Sequence, residues 1–333
     1  METSCTGPAS AATQPKRLFL ASPRGFCAGV DRAVKAVEMA LRIGGPPVYV
    51  RKQIVHNGHV VRSLERLGAV FVEGLQEVPG GSVVIFSAHG VSPEVRRSAR
   101  ELGLRVIDAT CPLVTKVHVE AHSYARRGLS VLLIGHAGHD EVAGVLGELP
   151  GEIQLVTSVE DAQCVTVPDP ERVGVLMQTT LSLDDSQEIL AALRQRFPGL
   201  VLPAVDDICY ATQNRQRAVR AIASQADLVI VLGSRNSSNA HRLCEVARSC
   251  GTEVLLVDDI AAVSPALLGA ARVAGLTASA STPEWVVEDA ITALAAHGFE
   301  AVEEVTVAEE TIAFALPQRA ETLLPLAAIR GTA

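Results

Sequence analysis

The sequence predicts an α/β fold of three similar units, each built on a mainly parallel sheet, arranged about a pseudo-threefold centre. Three observations predict it. Short apolar runs alternate with helix-like runs along most of the 333 residues. Only 3% of residues are aromatic against 48% hydrophobic, so the core must be built from Val, Leu, Ile and Ala, which suits parallel strands covered on both faces. Three cysteines, Cys27, Cys111 and Cys209, recur in matching contexts 84 and 98 residues apart.

The elements follow in order as strand, turn and helix. LFLA at 18–21 leads to DRAVKAVEMALRI at 31–43, and VVIFSA at 83–88 to SPEVRRSARELG at 92–103. VLLIG at 131–135 precedes DEVAGVLGEL, VGVLMQ at 173–178 precedes LDDSQEILAALRQRF, and LVIVLG at 228–233 precedes SSNAHRLCEVARSC. Strand pairs of this kind need right-handed crossovers. Gly44-Gly45-Pro46-Pro47, Leu149-Pro150-Gly151 and Pro168-Asp169-Pro170 punctuate the chain without forming a long linker, so the units pack closely. The expected division is a disordered leader at 1–16, a first unit at 17–111 with Cys27, a second at 112–205 with Cys111 at its start, a third at 206–300 with Cys209, and a tail at 301–333 that returns to the core.

A net charge of −8 argues against a nucleic-acid partner, whose phosphates need a basic face. The leader METSCTGPASAATQPK has no apolar stretch of the signal-peptide kind, and no run reaches membrane-spanning length. Seven cysteines without a secretion signal point to a reducing compartment, hence to the cytoplasm. Cys5, Cys164, Cys244 and Cys250 read as structural or incidental.

Cys27, Cys111 and Cys209 lie in LFLASPRGFCAGV, VIDATCPLVTKV and VDDICYATQNRQ, where an apolar strand-like run gives way to a helix. Their spacing fits neither a zinc finger nor a ferredoxin run. Three thiolates meeting at the junction of three units would hold an iron-sulfur cluster with one iron free of protein. Helix N-termini at each sulfur would lower its pKa and favour an anionic cluster. The plainer reading of each cysteine alone is a buried structural thiol.

In open parallel sheets ligands bind beyond the carboxyl ends of the strands. There the chain places His56-Asn57, His89-Gly90, Gly135 to Glu141, Gln178-Thr179-Thr180, Ser234 to Asn239 and Ala278 to Pro283. Ser237, Ser238 and Asn239 open a helix, where hydroxyls, a carboxamide and free N–H groups bind a phosphate or diphosphate, and Ser281 repeats the arrangement. The same residues also serve as ordinary helix caps. His56, His89 and His139 at other strand exits favour phosphate over capping alone. Glu141 shares a glycine-rich turn with His139 and is the carboxylate best placed for proton transfer, with Thr179 as a hydroxyl relay. Its structural alternative is a first-turn Glu that complements the helix dipole. His118 and His122 have metal-ligand spacing, but HVEAH lacks the zincin Glu position and reads as a solvated helix face. Neither a GxGxxG nor a P-loop is present.

Taken in order, GFCAGVDRAV, VHN, SAHGVSP, DATCPLVTKVH, GHAGHDE, QTTLS, DDICYATQNRQ and GSRNSSN resemble the 4-hydroxy-3-methylbut-2-enyl diphosphate reductase family over about residues 17 to 316. The resemblance implies the last step of the methylerythritol phosphate route: reductive removal of an allylic hydroxyl to give isopentenyl and dimethylallyl diphosphates. It also implies a trefoil of three α/β domains around one oxygen-sensitive 4Fe-4S cluster with Cys27, Cys111 and Cys209 as ligands, the substrate hydroxyl meeting the iron that the protein leaves free. His56, His89, His139, Thr179, Ser237, Ser238, Asn239 and Ser281 then match substrate contacts, and Glu141 the proton source. Two electrons delivered singly imply a ferredoxin or flavodoxin as partner. Two departures carry expectations. Ser279 stands where the family usually has Gly, so a left-handed backbone there would strain the Ser281 contact. Asp140, between His139 and Glu141, would raise the Glu141 pKa. Two other function classes remain open on the sequence: a non-redox phosphosugar enzyme with buried cysteines, and an iron-sulfur sensor.

Overall fold

The computed structural model describes residues 15–317. Nearly all of the expected leader, Cys5 and the end of the expected tail lie outside the described residues. The first stretch of chain comprises β1 (Arg17–Ser22), α1 (Ala28–Gly44), β2 (Val48–Arg51), α2 (Gly58–Arg66), β3 (Ala69–Val72), β4 (Val83–Phe86), α3 (Pro93–Glu101) and β5 (Arg105–Asp108). Next come α4 (Pro112–Arg126), β6 (Ser130–Ile134), α5 (Asp140–Leu146), β7 (Ile153–Val156), α6 (Val159–Cys164), β8 (Val173–Met177) and α7 (Leu183–Arg196). The last stretch holds α8 (Tyr210–Ala223), β9 (Leu228–Leu232), α9 (Ser238–Ser249), β10 (Glu253–Val257), α10 (Pro265–Ala270), β11 (Val273–Ala278), α11 (Glu284–Ala295) and β12 (Ala301–Thr306).

These elements form three parallel sheets, ordered β3-β2-β4-β5, β7-β6-β8 and β10-β9-β11-β1-β12. The central runs VVIF, VGVLM and LVIVL are buried at every residue, which explains their unbroken apolar character. Among the described residues no helix is long and apolar enough to cross a membrane.

The three orders repeat one scheme. In each sheet three consecutive strands start centrally, step outward to one side and resume on the other, so a topological switch point falls between β2 and β4, between β6 and β8, and between β9 and β11. A further strand then flanks the resumed one: β5 beside β4, β1 beside β11, and in the second unit only the isolated bridge of Val201 to Gly174 of β8. Two sequence expectations change here. β1, assigned by sequence to the first unit, pairs in register with β11 and β12 of the last sheet. The run before Cys209 forms that single bridge and no strand, because Pro203 and the acidic Asp206-Asp207 pair interrupt it. Residues 301–306 of the expected tail form β12, a largely exposed edge strand paired with β1.

Candidate functional site

The three cysteines are the N-caps of α1, α4 and α8. Each backbone N–H donates to the strand-exit segment of the neighbouring switch strand: Cys27 to Ala280 O at 3.3 Å, Cys111 to Ala88 O at 3.0 Å and Cys209 to Thr179 O at 3.1 Å. Those acceptors sit beside or at Ser281, His89 and Thr179, so the thiols and the polar strand-end residues are fixed to one another through the main chain. All three sulfurs line one central cavity of about 100 Å³.

The expected lowering of the thiol pKa by helix N-termini is overridden at Cys111 and Cys209. Burial pushes Cys111 up to about 12, with Cys27 adding to it, and burial likewise pushes Cys209 up to about 11. Bonds from the Leu113 and Val114 N–H groups to Cys111, and from Thr212 to Cys209, act in the opposite sense and are outweighed. The Cys111 and Cys209 thiols, held protonated by burial, exchange their protons for a bound cation. Gly29 keeps the space beside them clear: a Cβ there would lie 2.6 Å from Cys111 Sγ. An all-sulfur donor set with a glycine cradle fits an iron-sulfur group.

The other nine residues singled out by sequence line the same cavity. His56 and His89 stack with ring centroids 4.0 Å apart, and His139 meets them edge-on at 5.6 and 5.8 Å. Burial depresses all three; it holds His89 well below the ordinary histidine range, helped by positive charge from His56, His139 and Lys52, and takes His139 down to about 4. Ser237 caps α9, accepting from Ala240 N at 3.3 Å. Ser238 Oγ accepts from Thr180 Oγ1 at 3.1 Å, and Asn239 Oδ1 accepts from Ala280 N at 2.9 Å. Ser281 Oγ donates to His56 O at 2.9 Å. Two buried polar atoms in this set, His89 Nδ1 and Asn239 Nδ2, have no protein partner, which suits a ligand that supplies one.

Glu141 is buried in the first turn of α5. Its two oxygens accept from Thr179 N at 2.7 Å and Thr179 Oγ1 at 2.9 Å. Burial pushes it up to about 7 against both of those bonds, and the Asp207 charge adds to the rise. Asp140, expected to raise it, instead forms an ion pair with Lys52.

Other expectations change too. Ser279 is not left-handed, since Lys52, at φ 55°, is the only described non-glycine with positive φ. Its buried hydroxyl lies 3.2 Å from Ser281 Oγ and 3.0 Å from Thr282 Oγ1, supporting the Ser281 segment. His118 is buried and not on a solvated face: its Nδ1 donates to Glu148 Oε1 at 2.6 Å, while the more exposed His122 donates to Glu148 Oε2 at 2.7 Å. The Cβ position of left-handed Gly90 is 3.0 Å from His118 Nε2, so that ring backs the His89 loop. Sequence reasoning gave no role to Thr180, Gln178 or Gly29. Gln178 donates to Thr180 Oγ1 at 2.7 Å, accepts from His136 N at 2.9 Å, and links α9 to the β8 exit. Their shared signal was position after a strand or at a cysteine.

Fold and site together define a three-unit α/β protein whose central chamber joins three thiols to a set of histidines, serines and a buried acid. Residues 18–295 match the LytB protein family, and the chain belongs to it. A relative from Acidothermus cellulolyticus named 4-hydroxy-3-methylbut-2-enyl diphosphate reductase is 56% identical over 91% of this chain and 89% of its own. One from Mycobacterium tuberculosis, named 4-hydroxy-3-methylbut-2-enyl diphosphate reductase 2, is 55% identical over 91% of each chain. The structure of E-1-hydroxy-2-methyl-but-2-enyl-4-diphosphate reductase from Plasmodium falciparum superposes with a TM-score of 0.90 at 37% identity, covering 93% of this chain and 98% of that one. A structure described as (E)-4-hydroxy-3-methyl-but-2-enyl diphosphate reductase, the terminal enzyme of the non-mevalonate pathway, gives 0.61 at 32% identity over 84% and 99%.

Proposed function

We infer that this chain is the reductase of (E)-4-hydroxy-3-methylbut-2-enyl diphosphate, forming isopentenyl and dimethylallyl diphosphates in the last step of the methylerythritol phosphate pathway. The observation that carries the reading is the convergence of Cys27, Cys111, Cys209 and Glu141 with the histidine and serine set on one chamber. A phosphosugar enzyme has no use for three converging thiols, and a sensor has none for a buried acid beside an anion pocket.

Cys27, Cys111 and Cys209 are the ligands of one 4Fe-4S cluster in this reading. When bound, the cluster supplies a Lewis-acidic iron and electrons, one at a time. The protein's own groups do the rest. Ser237, Ser238, Asn239 and Ser281, together with His56, His89 and His139, fix the diphosphate, the helix N-terminus of α9 adding its positive end. Fixing that end orients the allylic hydroxyl towards the thiol end. Loss of the hydroxyl as water and closure of the allyl carbon consume two protons and two electrons. Glu141, about half protonated near pH 7, holds a proton that Thr179 Oγ1 can relay. Apolar walls at Val30, Val55 and Val114 accommodate the prenyl carbons and keep water out. A one-electron carrier of the ferredoxin or flavodoxin kind completes the cycle.

The test is anaerobic turnover of the substrate by iron-reconstituted protein with a strong chemical reductant. Both isoprenoid products are expected; a full cluster with no product would reject the reading. Adding purified carriers in place of the chemical reductant then tests the donor.

A further inference from the structure

The chamber proposed to hold a diphosphate is lined by no lysine or arginine among the described residues. Its histidines are depressed by burial and largely uncharged at neutral pH. A diphosphate carries about three negative charges there, so hydrogen bonds and one helix end leave most of that charge unanswered. A fixed cation close by is the missing part.

One side chain fits. Lys52 follows β2 and pairs through Nζ with Asp140, the first residue of α5, so the pair bridges the first and second sheets between His139 and the β2 exit. The Asp140 carboxylate and the rings of His56 and His89 bring ligand atoms within 4.8 Å of one another, and the Lys52 ammonium sits on that same carboxylate, near enough for its charge to act on both rings. Lys52 is also the one described non-glycine residue held at positive φ, its N–H donating to Val72 O at 2.7 Å. A side chain in the left-handed region is disfavoured, and such strain collects where a position serves function. Nothing in the packing of β2 itself requires a lysine there.

We propose that Lys52 is a further substrate-binding residue: held by Asp140 beside the histidines, its ammonium supplies the permanent positive charge that the chamber lining lacks and draws in the diphosphate group. Asp140 is its positioning group. The inference rests on the diphosphate reading above, and the experiment separates the two.

Inorganic pyrophosphate is titrated calorimetrically into full-length, iron-reconstituted protein under anaerobic conditions, at low and high salt. Lys52→Gly suits the left-handed backbone, so this variant melts at a higher temperature than the wild type while binding pyrophosphate about tenfold more weakly, with a shallower salt dependence. Lys52→Arg keeps the charge and binds within about twofold of the wild type. In turnover, Lys52→Gly raises KM in parallel and leaves kcat within about twofold. Unaltered pyrophosphate affinity in Lys52→Gly, beside normal wild-type binding, overturns the inference alone. Equal weakening in Lys52→Arg and Lys52→Gly overturns it as well, because geometry and not charge would then be at issue. A wild-type protein that bound no pyrophosphate would remove it together with the functional reading.

Discussion

Glu141 is held between opposing forces: two bonds from Thr179 favour its carboxylate, and burial favours its acid form and prevails. An ordinary Glu releases its proton near 4.5, whereas the folded protein keeps this one until about 7. In that window the folded state binds more protons than the unfolded state, so this group's contribution to stability falls as pH rises through it. Glu141→Gln, which keeps the shape and removes the charge, should stabilise the protein at pH 8 by about 2–4 kcal/mol and have little effect below pH 4. The same variant should lose turnover while keeping its iron; unchanged turnover would take Glu141 out of the mechanism. In the wild type, kcat should decline above pH 7 as the acid form empties. Ser279 makes a second case. Sequence marked it as a source of strain, but its hydroxyl braces Ser281 and Thr282. Ser279→Gly should therefore cost about 1–2 kcal/mol in urea unfolding and raise KM several-fold, where a strained serine would predict a gain. Convergence on one cavity was legible for residues at strand ends; the partners of Asp140 and His118 were not, because each lies across a gap in sequence that no local pattern reports.

At the scale of elements, each cysteine begins a helix and each helix begins at a strand exit tied to it by a main-chain bond. Alternating apolar and amphipathic runs made the βαβ units legible, and strand-end placement made the site legible with them. Strand order was not, since parallel partners are chosen by packing between distant runs of similar composition. Gly29 lies in the first turn of α1 with its Cβ position inside contact distance of Cys111 Sγ. Gly29→Ala gains roughly 1 kcal/mol of helix propensity but presses its Cβ on Cys111, so the net change in stability should be small. Reconstitution should nonetheless yield little iron and sulfide. Stoichiometric loading of this variant would show that the thiols do not need that space.

For the whole molecule, Arg215 is the central tie. Buried in α8, it donates through Nε to Gly25 O at 3.0 Å, through Nη1 to Ala211 O at 3.0 Å and Glu310 Oε1 at 3.0 Å, and through Nη2 to Phe26 O at 3.1 Å. It thus joins the segment before Cys27, the helix after Cys209 and the stretch beyond β12. Glu310→Ala leaves the guanidinium buried without its counter-charge and should cost about 3–5 kcal/mol in urea unfolding, with faster iron loss to a chelator. A loss below about 1 kcal/mol would mean that solvent reaches Arg215. The three-unit plan was legible from the recurrence of cysteine contexts. The exchange of β1 into the last sheet was not, because LFLA carries no mark of which apolar neighbours it will join.

That exchange has a consequence for biosynthesis. Arg17 of β1 lies opposite Val273 of β11, so during synthesis β1 waits for a partner made some 250 residues later, on the order of 10–50 s at ordinary elongation speeds. Throughout that interval the chain already carries Cys27, and later all three cysteines, without a seat for the first of them. In the proposed reading, loading of the three thiols is thereby deferred until translation is nearly finished, and a chain truncated before β11 should carry all three cysteines yet bind no iron.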